Sequence, residues 1–207
     1  MNKYPIVIYL DKNLTKEVSS IQQKLSKLTG TRACLDLWEP HLTIGSAVIE
    51  DNVELLAQDI QNAVKGIHPF KVQLKDFAYM NIWTGIKMAP SYILHSIRSL
   101  EFKDTLKRVT MSPYVVYIHV IKNNNLEELD KKIKTVTDKR KLAYRQPWPY
   151  TPHITIAFRD LTKEGFVQAK KLLATEKFSG ELLIDHIAIV KENDNGTCTE
   201  LQRIKLR

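Results

Sequence analysis

The chain has 207 residues, 43% hydrophobic and 26% charged, enough to bury a sizeable core and ordinary for a soluble globular protein. Its two cysteines, Cys34 and Cys198, stand outside any CxxC or Cys/His spacing, which argues against a disulfide or zinc framework, and no apolar run is long enough to span a membrane. The formal charge of +8 favours an anionic partner, nucleic acid or nucleotide ahead of membrane, and the sparse cysteines fit a reducing cytoplasm.

Tyr4–Leu10 is a continuous apolar run of strand length. Asn13 and Thr15 offer caps for a helix whose apolar row is Leu14, Val18, Ile21, Leu25 and Leu28. A strand beginning at His41 follows. Asp51, with Glu54 three residues on, predicts the cap of a second helix carrying Val53, Leu56, Ile60, Val64 and Ile67. Phe70–Phe77 and Asn81–Met88 alternate as two closing strands, and Pro90–Val109 predicts a linker helix capped by Ser91. The second half repeats this order. Tyr114–Ile121 is β-branched, Asn125 caps a helix bearing Leu126, Leu129, Ile133 and Val136, and a strand beginning at His153 comes after a proline-rich loop. Thr162 opens a helix weakened by Gly165, and strands near Gly180–Val190 and Thr199–Leu206 flank a turn at 193–196. The duplicated order predicts one bilobal α+β domain over residues 1–207: lobe one at about 1–90, the linker helix at about 90–110 and lobe two at about 111–207. Each lobe is expected to be a mainly antiparallel sheet with outer helices, the pair related by a pseudo-twofold axis around a central cleft.

Both halves carry nearly the same five residues, Pro40-His41-Leu42-Thr43-Ile44 and Pro152-His153-Ile154-Thr155-Ile156, at an offset of 112. Period-two alternation puts His and Thr on one face and the aliphatic residues on the other. Regular alternation also places the small Gly45 and Ala157 beside them, leaving room for a ligand. Two imidazoles can divide general base and general acid work on a phosphodiester, and two hydroxyls can bond non-bridging phosphate oxygens as charge develops. No metal or cofactor is required. The competing explanation is an inert motif inherited by duplication, against which both copies have kept a polar His in the same slot.

On these motifs the chain resembles the two-histidine (2H) phosphoesterase superfamily over nearly its full length, and within it the 2′-5′ RNA ligase and RNA 2′,3′-cyclic phosphodiesterase group. The resemblance implies a 2H, LigT-like fold, His41 and His153 as the catalytic pair, and Thr43 and Thr155 as phosphate-binding residues. The substrate it implies is RNA or a nucleotide carrying a 2′,3′-cyclic phosphate or a 2′,5′ linkage. RNA-processing relatives place an arginine directly after the second motif, whereas here Phe158 precedes Arg159. Regular alternation keeps Arg159 on the catalytic face; a bulge would move it. Trp148, Tyr150 and Arg145, in the loop before the second motif, are further substrate-binding candidates by stacking and charge, while Trp38 is equally suited to packing. A monomer is expected, with no membrane partner. The alternatives are a nucleotide-binding module of the same fold with little turnover, a phosphodiesterase of cyclic or 2′,5′-oligonucleotide signals, and an RNA-binding protein indifferent to the motifs.

Overall fold

Ile6, Val7 and Ile8 have no accessible surface, as a run apolar on both faces demands of a central strand. Around it a computed structural model describes residues 2–49, 52–81, 112–139 and 151–207. In chain order these form β1 (Asn2–Tyr9), α1 (Lys12–Thr29), α2 (Ala33–Asp36), β2 (His41–Ile49), α3 (Val53–Ala63) and β3 (Phe70–Asn81). Then follow β4 (Ser112–Val120), α4 (Asn124–Lys139), β5 (His153–Arg159), α5 (Lys163–Leu173), β6 (Ser179–Ile184), β7 (His186–Glu192) and β8 (Cys198–Lys205). The expected linker helix, the strand beyond Asn81, and Arg145, Trp148 and Tyr150 lie outside the described residues.

The strands join in the order β6-β3-β4-β5-β2-β1-β7-β8, every neighbouring pair antiparallel, with helices packed against the sheet. The fold is therefore the α+β architecture expected. At its centre β2 and β5 meet through one register pair, Leu42 opposite Ile154, and diverge on either side. Two four-stranded halves thus hinge on the two motif strands.

Those halves are not the sequence halves. β3, from the first half of the chain, pairs with β4 and β6, while β7 and β8, from the second, extend the sheet beyond β1. The boundaries near residues 90 and 111 therefore do not coincide with the two halves of the sheet. What looked like one strand, Gly180–Val190, breaks at Asp185, where the chain leaves one end of the sheet and joins the other. Periodicity reports which residues are buried, not which strand lies alongside.

Helix starts also shift. Asp11, not Asn13 or Thr15, caps α1 by accepting from the Asn13 and Leu14 amides; Asn52 accepts from Leu55 N–H and Asn123 from Leu126 N–H. In each case the cap is the residue whose side-chain oxygen reaches an otherwise unpaired amide of the first turn. The apolar rows hold: Leu14, Val18, Ile21 and Leu25 of α1, and Leu126, Leu129, Ile133 and Val136 of α4, are buried, whereas Leu28 is 44% exposed beside the left-handed cap Gly30.

Candidate active site

The motif strands bury Leu42, Ile44, Ile154 and Ile156 and turn His41, Thr43, His153 and Thr155 to the opposite face. All four polar residues line one cavity of about 650 Å³, so the two lobes bring their histidines together. Each strand carries a register shift just after its Thr. In β2, Val7 lies opposite Thr43 but Ile6 opposite Gly45; in β5, Tyr117 lies opposite Thr155 but Val116 opposite Ala157. Ile44 and Ile156 are the extra residues of two matching bulges.

The bulges correct two expectations. Gly45 and Ala157 turn to the core: Ala157 is fully buried, and a Cβ on Gly45 would lie 2.8 Å from Ile133 Cγ2 and 3.7 Å from Ile6 Cδ1. The missing Cβ at 45 admits α4, while the Gly45 backbone still lines the cavity. Ser46 and Phe158, the next residues along, also line the cavity.

Arg159 reaches the cavity by another route. It ends β5 with φ +68°, a region uncommon for a residue with a Cβ, and its guanidinium donates to Glu192 Oε1 at 2.9 Å while lying 5.7 Å from the Trp38 ring centre. Trp38 itself packs 4.8 Å from the His41 ring and donates Nε1–H to the Gly196 carbonyl at 2.9 Å. Gly196, at φ +82° in the β7–β8 turn, is the residue type that conformation favours. Trp38 is thus a wall of the site, held by a hairpin from the other half of the chain.

The two histidines are oriented identically. His41 Nδ1 lies 2.8 Å from the Glu39 carbonyl and His153 Nδ1 lies 2.8 Å from the Thr151 carbonyl. A carbonyl only accepts, so each Nδ1 carries hydrogen and each neutral ring keeps the Nε2 lone pair for chemistry. Burial pushes the His41 imidazolium down to about 4 against the pull of the Glu39 carbonyl, with positive charge at His153 and Arg159 acting in the same direction. His153 is lowered as well, by burial above all and by His119, again against its carbonyl partner.

Asp160 ties the site's walls together. Its carboxylate accepts from Thr31 Oγ1 and from the amides of Arg32, at 2.7 Å, and Ala33, at 3.1 Å, at the start of α2. That short helix carries Cys34 into the cavity wall and leads into Trp38. Sequence reasoning gave no site role to Asp160 and Glu192, which act across a long stretch of chain, or to Ser46 and Phe158, which the bulges bring to the cavity. No group of three His, Cys, Asp or Glu placed to hold a metal occurs among the described residues. No helix among the described residues is long and apolar enough to cross a membrane.

A model of the 2′-5′ RNA ligase superfamily matches residues 93–196, half of the chain, and takes in the second His-x-Thr motif. TT0787 of Thermus thermophilus superposes with a TM-score of 0.64 at 15% identity, covering 99% of this chain and 98% of its own. E. coli LigT, in a crystal structure with 3′-AMP, gives 0.61 at 12% identity with 99% and 98% coverage, and LigT with ATP gives 0.59 at 13%. These likenesses establish a shared fold over the whole chain. No curated protein matches the sequence.

Proposed function

The chain belongs to the 2′-5′ RNA ligase superfamily, whose chemistry is phosphoester chemistry, and we propose that it is a phosphodiesterase acting without metal on a 2′,3′-cyclic phosphate or 2′,5′ linkage of RNA or a nucleotide. The observation that carries this reading is the matched pair of rings, each with Nδ1 held by the carbonyl two residues before it, in one cavity with two threonine hydroxyls.

Unequal surroundings divide the work. His41, held neutral by burial and by the nearby Arg159 charge, is the general base; its Nε2 takes a proton from water as the oxygen attacks phosphorus in line. His153 is the general acid. Charged, it donates from both nitrogens, keeping Nδ1–H on the Thr151 carbonyl while Nε2–H passes to the departing ribose oxygen. The negative phosphate stabilises that imidazolium once substrate is bound. One P–O bond forms to water and one breaks to ribose, leaving a phosphomonoester and a free hydroxyl. Thr43 and Thr155 donate to the non-bridging oxygens, and Arg159 adds positive charge from the Trp38 side.

A substrate panel tests the reading: 2′,3′-cyclic nucleotides, RNA ending in a cyclic phosphate, 2′-5′ oligoadenylate and cyclic dinucleotides, each with chelator present. Turnover of a cyclic phosphate or a 2′,5′ linkage at an undiminished rate in chelator is expected. Saturable nucleotide binding without product would instead favour a binding module, and activity abolished by chelator would refute the metal-free mechanism.

A further inference from the structure

The offset of 112 that relates the motifs also relates the helices closing the two ends of the cleft. Leu14 and Ile21 of α1 correspond to Leu126 and Ile133 of α4, and all four are buried. Each helix reaches the motif strand of the other half, α1 against β5 and α4 against β2. Their cleft sides differ. Val18, Gln22 and Leu25 of α1 become Asp130, Lys134 and Thr137 of α4. Val18 and Leu25 are fully buried and do not line the cavity, Gln22 reaches it as a buried amide, and Asp130, Lys134 and Thr137 all line it. The α4 side therefore brings a carboxylate and an ammonium to the cavity where α1 brings only the neutral amide of Gln22.

Asp130 is partly buried yet makes no hydrogen bond or ion pair shorter than 4 Å with a described residue; burial disfavours its charge, and Lys134 and Lys122 sustain it. Also lining the cavity, from β2, the Ser46 hydroxyl is buried and finds no partner among the described residues. Thr137 is already committed, donating to the Lys134 carbonyl at 3.1 Å. Buried polar groups are ordinarily satisfied, so a carboxylate and a hydroxyl left open in one cavity await a polar ligand.

We propose that the α4 end of the cleft is a base-reading subsite selective for guanine, with the Asp130 carboxylate accepting from N1–H and N2–H and the Lys134 ammonium donating to O6. This rests on the nucleotide phosphodiesterase reading above and names its base preference. The Watson–Crick edge of guanine presents one acceptor and then two donors, which a cation beside a carboxylate complements. Adenine and cytosine set a ring acceptor against the carboxylate, and uracil offers a single donor between two carbonyls. A desolvated carboxylate left facing an acceptor loses affinity steeply, so discrimination of about tenfold or more is expected.

Calorimetric titration of 2′-, 3′- and 5′-GMP against the matching AMP isomers covers a base on either side of the phosphorus. The tightest-binding isomer should prefer guanine by about tenfold. In Asp130→Asn, and in Asp130→Val, which restores the residue found at the equivalent position of α1, the GMP-to-AMP affinity ratio should collapse toward one. No guanine preference in the wild type, or a preference that survives both substitutions, overturns the subsite. If the protein turns over the cyclic-phosphate panel without base preference, the subsite falls and the phosphodiesterase reading stands. If no nucleotide binds or reacts, both fall.

Discussion

Replacing His41 by asparagine should flatten the acid side of the protein's stability curve. The ring takes up a proton near 6.5 when unfolded, but burial first, and then the charges of His153 and Arg159, bring this to about 4 in the folded cleft. Between those values the unfolded chain binds a proton that the folded chain refuses, so stability contributed by the neutral ring is complete above 6.5 and drains away as pH falls toward 4. Going from pH 7.5 to 4.5, the cost assigned to this one ring is about 2.5 kcal/mol. Asparagine keeps an N–H for the Glu39 carbonyl and cannot titrate. Urea unfolding of both proteins at the two pH values, with His153 unchanged, isolates the contribution: the loss in the wild type should exceed that in His41→Asn by about 2 kcal/mol or more. Equal losses would show that the folded ring takes its proton normally, and the assignment of His41 as the neutral base would fail with it.

Removing the Arg159 charge with Arg159→Met should raise the proton affinity of His41, so the acid limb of a kcat/KM profile moves to higher pH; an unmoved limb would separate Arg159 from the base. Gly45→Ala forces a methyl against Ile133 Cγ2, 2.8 Å away in the native geometry, and should cost about 1–3 kcal/mol in urea unfolding. Pairing it with Ile133→Leu, which has no γ-methyl on Cβ, should recover part of that loss in a double-mutant cycle; strict additivity would refute the close approach. Asp160→Ala leaves the first amides of α2 and the Thr31 hydroxyl without their acceptor, and should lower stability by about 1–3 kcal/mol. Because α2 carries the Trp38 wall, it should also raise KM for a nucleotide substrate, and an unchanged KM would confine Asp160 to a structural part.

The meeting of the two motifs in one cavity was legible because each motif is local and repeated: Pro-His-x-Thr-Ile occurs twice, and alternation alone separates Leu42 and Ile44 from His41 and Thr43. The helical rows were legible for the same reason. Partnership was not. That β3 joins β4, and that β7 leaves β6 to pair with β1, depends on which edges meet in space, and a period of two is silent on that. The bulges at Ile44 and Ile156 were hidden because an inserted residue looks like any other aliphatic one, and they reversed the orientation of Gly45 and Ala157. Trp38 was visible, but its choice between packing and lining turned on Gly196 and Arg159, both more than 100 residues away in sequence. The polarity of the α4 wall was also on view, since Asp130 interrupts an apolar row. It gained meaning only when α1 and α4 proved to close opposite ends of one cavity.

If two imidazoles from the two halves of the chain act on one phosphorus, turnover needs both rings. Steady-state hydrolysis of a 2′,3′-cyclic nucleotide, with chelator, by the wild type, His41→Ala, His153→Ala and the double variant tests it most directly. Each single substitution should lower kcat by about 10²–10⁴, and the double variant should fall little further because the pair works as a unit. Wild-type turnover in either single variant would rule out paired-histidine catalysis.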